Sequence, residues 1–338
     1  MKLGIVGLSG SGKTTVFEAL TGSAADLAAK AEDRMAMVKV PDERIDKLSA
    51  MYNPRKTIYA QVEYFLPGKG AKDQSAWQGA RTCDALIHVV RNFAMYGAEA
   101  PAPLADMQTL DQELILADLV VVEKRLERME TDQKRGKKPN PEEQELLQAC
   151  LEKLNNEEAL RHYPELAANP LLRGFTLLSA KPMLVLFNNE DEAPAMPQAG
   201  EPKPNENYLA MRGKLEQELA GMEPEEIREF LQDFGIEASG MDLVIRESYA
   251  LLGLQSFFTV GEDEVRAWTI YVDTAALDAA DEIHSDIKKG FIRAEVLAYD
   301  DLMATGSYAE ARKKGLVRLE GKTYVVKDGD IINFRFNV

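Results

Sequence analysis

Four short apolar runs without polar alternation mark the amino-terminal two thirds of the chain. They cover residues 3–6, 62–66, 85–90 and 183–187. Continuous apolar runs of this kind are typical of strands buried on both faces. Helical segments separate them, and strands that alternate with helices indicate a parallel sheet with crossover helices. The pattern therefore predicts an α/β domain built on a mostly parallel sheet.

A helical pattern lies between the third and fourth runs. From residue 109 to 129 the apolar positions fall at spacings of four, three and four: Leu110, Leu114, Ala117 and Val121. Such a stripe predicts an amphipathic helix. Residues 135–141, rich in Gly, Lys and Pro, break the helix, and a second apolar stripe follows over 147–154. We predict an antiparallel helical hairpin inserted into the sheet domain.

The pattern changes again towards the carboxyl end. Residues 193–207 predict an irregular connection, and a helical stretch follows around 225–249. Short strands are predicted at 267–272, 323–326 and 331–336, with a helix over 274–287. Residues 320–322 and 327–330 have the composition of hairpin turns. These elements predict a separate small α+β domain. The predicted boundaries are 1–105 and 173–253 for the sheet domain, 106–172 for the hairpin and 254–338 for the last domain.

The first strand leads into a motif that binds phosphate. The segment matches GxxxxGK[ST] and reads Gly7, Leu8, Ser9, Gly10, Ser11, Gly12, Lys13 and Thr14, followed by Thr15. Its glycines let the backbone curl so that successive N–H groups point at phosphate oxygens. Lys13 supplies a positive charge for the β- and γ-phosphates, and the Thr14 hydroxyl is a ligand for Mg²⁺. The motif predicts a P-loop that binds ATP or GTP, with Thr15 also in the site.

The base is expected beside a later strand end. Asn188 and Asp191 follow the apolar run 183–187 and keep the outer positions of an NKxD pattern, with Asn189 in place of the usual lysine. In guanine-specific P-loop proteins a carboxylate there accepts hydrogen bonds from the base. Shifted by one residue, Asn189 and Glu192 give an N-x-x-E pattern. Spacing alone leaves both the register and the choice between ATP and GTP open.

Composition limits the partners. The formal net charge of −16 argues against non-specific binding to DNA, although local basic patches can still contact RNA. Two such patches are residues 135–138 in the hairpin turn and Lys288, Lys289 and Arg293 in the last domain. Cys83 and Cys150 lie far apart and predict reduced thiols, while no apolar run is long enough to cross a membrane. We expect a cytoplasmic protein.

Several longer segments resemble one family. VPDERIDKL at 40–48, DALIHVVR at 84–91, EVRAWTI at 264–270, KGFIRA at 289–294 and VKDGDIINF at 326–334 are similar to signatures of YchF, also called the Obg-like ATPases. This family is a branch of the Obg-related translation-factor GTPases. The resemblance implies a G domain interrupted by a helical hairpin and followed by a TGS domain, a β-grasp-like module. It also implies ATP or GTP binding and association with ribosomes.

The chain departs from the family pattern at positions expected near the nucleotide and its Mg²⁺. Ser9, Gly10 and Ser11 replace the family's Pro-Asn-Val, and Asp191 replaces its Glu. Residues 66–70 follow the second strand without the carboxylate of the family's DxAG, and no threonine occurs between Thr21 and Thr57 to act as the switch residue. We therefore expect slow or absent hydrolysis. The alternative is a degenerate NTPase that serves as a nucleotide-bound interaction scaffold.

Overall fold

The computed structural model describes residues 1–22, 32–68, 73–192, 195–233 and 239–337. The alanine-rich segment 24–31 therefore lies outside the described residues. The chain folds into two compact units, each built from two stretches of sequence. Unit 1 contains Met1–Val38 and Glu63–Leu252, and unit 2 contains Lys39–Val62 and Gly253–Val338.

The elements follow one another in three groups. The first group is β1 (Lys2–Val6), α1 (Lys13–Thr21), β2 (Arg34–Lys39), α2 (Glu43–Tyr52), β3 (Lys56–Ile58), β4 (Gln61–Leu66), α3 (Asp73–Arg81) and β5 (Ala85–Asn92). The second is α4 (Pro103–Lys134), α5 (Pro141–Asn155), a 3-10 helix (Leu160–His162), α6 (Pro164–Ala167), another 3-10 helix (Pro170–Phe175), β6 (Met183–Asn189), β7 (Glu206–Met211), α7 (Gly213–Leu219), α8 (Pro224–Asp233) and α9 (Gly240–Leu251). The third is β8 (Leu254–Val260), β9 (Glu264–Tyr271), α10 (Ala276–Ile283), α11 (Ser285–Lys289), β10 (Phe291–Ala298), α12 (Tyr299–Thr305), α13 (Tyr308–Lys313), β11 (Arg318–Glu320) and β12 (Asp330–Phe336).

The sheet of unit 1 has the strand order β2-β4-β1-β5-β6-β7. Strand β1 pairs in parallel with β4 on one side and β5 on the other, and β6 pairs in parallel with β5 and β7. Strands β1, β4, β5 and β6 contain the four apolar runs of the sequence, and helices pack against β1, β5 and β6. Later strands of the chain lie on both sides of β1, with β4 on one side and β5 on the other. A crevice is therefore expected at the carboxyl end of β1. The predicted mostly parallel α/β sheet is confirmed.

The helical hairpin is formed by α4 and α5. Helix α4 is 32 residues long and extends beyond the predicted stripe at both ends. It ends at a turn in which Gly136 has φ of 84°, and Asn140 then caps α5 by accepting a hydrogen bond from the Glu142 amide at 3.1 Å. The two stripes meet in an apolar cluster that includes Val122, Leu147 and Cys150, all fully buried.

Unit 2 contains a second sheet, with the order β11-β10-β12-β8-β9-β3. Its apolar core includes residues of α10, β8 and β12: Ala279, Ala280, Phe257 and Phe334. The edge strand β3 comes from the amino-terminal stretch and pairs in parallel with β9, with Thr57 opposite Val265. The sequence did not predict this pairing.

Arg44 joins two of the family-like segments within unit 2. Asp42 caps α2 by accepting a hydrogen bond from the Arg44 amide at 2.9 Å, and the Arg44 guanidinium donates to Asp328 Oδ2 at 2.7 Å. The same guanidinium lies 5.2 Å from the centre of the Phe258 ring. Burial alone would lower the pKa of Arg44, but hydrogen bonds to the two carboxylates raise it. Arg44 therefore links the VPDERIDKL segment to the VKDGDIINF segment.

The strand predicted at 323–326 is wrong, and with it the two hairpins that flank it. Val325 forms only a single bridge, with Ala275. The neighbouring backbone groups bond to the start of α10 instead: the Ala276 amide donates to the Tyr324 carbonyl at 2.7 Å, and the Val326 amide donates to the Thr274 carbonyl at 3.0 Å. No ladder with β12 can form when these groups are already paired.

Two predicted helices are each divided. The helix over 274–287 is interrupted at His284, which is extended and accepts a hydrogen bond from the Asp286 amide, so that α11 begins anew. The stretch 225–249 contains α8 and α9, the second capped by Ser239. Strand β7 and helix α7, which follow the irregular connection, were not predicted.

Candidate functional site

The loop between β1 and α1 forms a tight backbone cradle. Gly7, Gly10 and Gly12 have φ values of 150°, 79° and 93°, which side-chain-bearing residues rarely adopt. A Cβ atom at Gly7 would clash with the Val89 carbonyl oxygen, and one at Gly12 would clash with the Asn188 amide. These positions therefore require glycine, and the loop leads directly into the amino terminus of α1. A helix amino terminus favours bound anions.

Lys13 lies over this cradle. Its ammonium donates hydrogen bonds to the carbonyl oxygens of Gly7 and Leu8, both at 2.8 Å. Ser11 is buried, whereas Ser9 and Gly10 are exposed at the rim of the loop. All residues from Gly7 to Thr15 line one pocket of about 840 Å³. The structure thus brings together every residue that the P-loop motif predicted.

Asn188 connects the loop to a second element. Strand β6 runs through Asn189, two residues further than the sequence indicated, so Asn188 lies within the strand. Its side-chain amide donates to the Ser11 carbonyl at 3.1 Å, and its side-chain oxygen accepts from the Gly213 amide at 3.0 Å. Because both ends of this buried side chain are engaged, Asn188 fixes the P-loop relative to the start of α7.

A second pocket, of about 400 Å³, lies beside Asn188. It is lined by Thr15, Phe93, Ala94, Asn188, Asn189, Glu190, Asp191, Glu192 and Lys214. Asp191 and Glu192 both have exposed side chains there. Asn189 is held differently from Asn188: it accepts from Asn92 at 2.9 Å and donates to the Ala195 carbonyl at 2.8 Å. Asn188 is thus hydrogen-bonded to the P-loop through the Ser11 carbonyl.

Sequence reasoning missed Phe93 and Glu113. Phe93 follows the carboxyl end of β5 and lines both pockets. Its position could have been inferred, because the ends of neighbouring parallel strands lie at one edge of a sheet. Glu113 lies on α4 and lines the larger pocket, and no local pattern in the sequence signals this approach.

The part of the larger pocket where a metal ion would bind contains few acidic groups. Leu66 at the end of β4 lines it together with Pro67 and Gly68, and Asp33 accepts a hydrogen bond from the Gly68 amide at 3.0 Å. Lys69 and Gly70 lie outside the described residues. Within the described part of the chain, no group of three or more His, Cys, Asp or Glu side chains is arranged to hold a metal ion.

The basic patch of the last domain is largely paired with carboxylates. Lys288 lies 3.0 Å from both Asp278 and Asp281, and Lys289 lies 3.2 Å from Asp286. In the hairpin turn Lys137 pairs with Asp132 at 3.0 Å. None of the helices that the structure describes is both long enough and apolar enough to span a membrane.

Comparison with known proteins gives a consistent result. Residues 254–337 match the YchF-GTPase_C family, described as a protein of unknown function (DUF933). The chain is 39% identical to the ribosome-binding ATPase YchF of Bacillus subtilis, over 99% of each chain. It is 37% identical to the protein of the same name from Haemophilus ducreyi, over 100% of this chain and 99% of the relative.

A solved structure agrees with these relatives. The fold matches the YchF GTPase of Schizosaccharomyces pombe with a TM-score of 0.84 and 28% identity, covering 99% of this chain and 97% of that one. A full-length sequence match and a full-length structural match thus lead to the same group. The chain belongs to the YchF family.

Proposed function

We propose that this chain binds a nucleoside triphosphate, ATP or GTP, and uses it to regulate an association with the ribosome. The observation that carries the proposal is the P-loop cradle with Lys13 over it, next to a second pocket that shares Thr15 and Phe93. The larger pocket, of about 840 Å³, would take the triphosphate, and the smaller, of about 400 Å³, the base. Both pockets lie at the crevice that the strand order predicts.

We assign a role in nucleotide binding to each residue of the predicted site. The amides of residues 7–15 and the Lys13 ammonium would hold phosphate oxygens, and the Thr14 hydroxyl would be a ligand for Mg²⁺, which prefers oxygen donors. Asn188 keeps the loop in register with α7, and Asp191 accepts hydrogen bonds from the base. The contact between Asn188 and the Ser11 carbonyl supports this register over the one that begins at Asn189.

The relatives support the ribosome as a partner, because the Bacillus and Haemophilus proteins are named ribosome-binding ATPases. With a net charge of −16, contact with RNA has to come from local surfaces. We assign it to the hairpin turn and to the carboxy-terminal domain, which we take to be a TGS module. A cytoplasmic location fits Cys83 and Cys150, which are free and buried and whose thiol pKa values burial raises to about 11.

Nucleotide binding is tested by calorimetry with ATP and GTP, each with and without Mg²⁺. Lys13→Ala removes a charged hydrogen-bond donor, so we expect its affinity to fall by about 10- to 100-fold. Lys124→Ala, which changes an exposed lysine of α4, is the matched control and should bind like the unsubstituted chain. Equal affinities for all three proteins would show that the P-loop is not the site.

The same proteins distinguish regulation from plain binding. We expect the unsubstituted chain to sediment with ribosomes to a degree that depends on nucleotide, and Lys13→Ala to lose that dependence. Single-turnover cleavage should be slow, because residues 66–70 at the end of β4 contain no carboxylate and no threonine lies between Thr21 and Thr57 to act as a switch residue. Fast, Mg²⁺-dependent cleavage would contradict the slow-hydrolysis part of the proposal.

A further inference from the structure

The larger pocket contains a carboxylate from an unexpected element. Glu113 of α4 lines it together with Lys13 and Thr14. Among the described residues that line this pocket, Glu113 is the one acidic side chain. It belongs to the helical hairpin, whereas the other lining residues come from the sheet, its loops, α1 and α3. The hairpin therefore contributes a charged group to the phosphate pocket.

Packing explains why α4 reaches the pocket. Leu110 and Leu114 are buried in the same apolar cluster as Val6, the last residue of β1, and Leu8 of the P-loop packs against that cluster. Glu113 immediately precedes Leu114 in the helix. The apolar face of α4 thus lies against the strand and loop that form the cradle, and this places Glu113 at its edge.

Two charged networks fix the helix on either side of Glu113. Asp111 accepts hydrogen bonds from the buried Arg161 guanidinium at 2.6 and 2.7 Å. Asp118 is fully buried and accepts from the backbone amides of Leu178 and Ser179 at 2.9 and 2.7 Å. A helix tied down at positions 111 and 118 holds the backbone at position 113 in place, and this restricts where the Glu113 side chain can reach.

The Glu113 carboxylate and a bound triphosphate would both be negatively charged, so a cation between them would lower their mutual repulsion. Like charges at close range repel, and the repulsion is stronger where water is partly excluded. Mg²⁺ would suit this position, since it binds phosphate oxygens together with one or two carboxylates and keeps several water ligands. Thr14, in the same pocket, supplies a hydroxyl oxygen.

We propose that Glu113 is the protein carboxylate of the Mg²⁺ site, acting directly or through a bound water beside Thr14. It would supply from the hairpin the negative charge that is missing after β4. This inference rests on the proposed nucleotide binding and adds to it a residue and an element. It also makes the hairpin part of the nucleotide site.

The test compares nucleotide affinity in Mg²⁺ and in EDTA for Glu113→Gln. Removing the charge removes the repulsion, so in EDTA the variant should bind ATP or GTP more tightly than the unsubstituted chain. In Mg²⁺ it loses a ligand, so the ratio of the EDTA Kd to the Mg²⁺ Kd should fall about 10-fold or more. A role limited to packing would change both affinities alike.

Glu123→Gln is the matched control, because Glu123 is an exposed glutamate further along the same helix. Its ratio should equal that of the unsubstituted chain. An unchanged ratio in Glu113→Gln, or an equal weakening in both conditions, would overturn the inference while the proposed nucleotide binding stands. Failure of the unsubstituted chain to bind nucleotide under either condition would overturn both.

Discussion

His88 is a fully buried histidine in the middle of the central sheet. It lies on β5, opposite Val6 of β1 and Val185 of β6, and is 0% exposed. Neither of its ring nitrogens has a hydrogen-bond partner among the described residues. Burial, reinforced by the charges of Arg161 and Lys13, lowers the pKa of His88 to about 3. The ring is therefore neutral in the folded chain at every pH in ordinary use.

This lowered pKa makes stability depend on pH with a definite sign. In the unfolded chain the histidine takes up a proton near its ordinary pKa of 6.5, whereas in the folded chain it does so only near 3. Between these values the unfolded state binds more protons, so stability falls as the pH drops from 6.5 towards 3. The largest slope that a single group can contribute is about 1.4 kcal/mol per pH unit.

We predict that His88→Leu reduces this loss between pH 6.5 and 5. The measurement is urea unfolding followed by tryptophan emission in a Trp268→Phe background, which leaves Trp77 of unit 1 as the one tryptophan. His284→Asn, at an exposed histidine, should leave the pH dependence as it is in the parent. An identical slope in His88→Leu and the parent would contradict the assigned pKa shift.

At the scale of elements, the hairpin depends on a buried ionic network. Arg161, only 1% exposed, donates to Asp111 of α4 and, at 2.6 Å, to Glu206 of β7. His162 is partly buried and lies 2.8 Å from the same Glu206 oxygen. Burial alone would raise the pKa of Glu206, but His162 and Arg161 lower it to about 2. The network joins α4 to the sheet edge.

We predict that Arg161→Met destabilises unit 1 by about 3–5 kcal/mol, because it leaves two carboxylates without their cation. Urea unfolding with the Trp77 signal measures the change. Arg128→Met, at an exposed arginine of α4, should have an effect of less than about 0.5 kcal/mol. If both variants unfolded at the same urea concentration as the parent, the network would not anchor the hairpin.

The secondary-structure elements also show how much of the fold and of the site could be predicted from the sequence. The P-loop was predictable because strand, glycines, lysine and helix start lie within 15 consecutive residues. The helix α4 was predictable because its apolar stripe repeats over several turns. The strand at 323–326 failed because a few apolar residues can equally belong to an irregular segment whose amides are bonded elsewhere. Glu113 could not be placed, since its position in the pocket depends on how an inserted helix packs on the sheet.

At the scale of the whole molecule, each unit combines stretches that are distant in sequence. The carboxy-terminal sheet receives β3 and α2 from Lys39–Val62. Arg44 of that stretch bonds to Asp328, and β3 pairs with β9. The family match over residues 254–337 therefore covers only part of the compact unit.

We predict that a fragment of residues 253–338 made alone is less stable than unit 2 in the full chain. A peptide of residues 39–62 added in trans should restore stability in a saturable way, by about 2.7 kcal/mol at one hundred times its Kd. Thermal unfolding followed through Trp268 measures this. The same peptide with Arg44→Ala should bind more weakly. A fragment that melts like the full chain and ignores the peptide would contradict the prediction.

The pairing of β3 with β9 also bears on how the chain is made. Thr57 and Val265 are 208 residues apart along the chain (positions 57 and 265). At synthesis rates of about 5–20 residues per second, the partner strand leaves the ribosome some tens of seconds after β3. During that interval residues 39–62 have no sheet to join, although strands on both sides of them in sequence already belong to unit 1. Unit 2 therefore closes only after β9 has been made, later than the β1–β4 and β1–β5 pairings of unit 1 become possible.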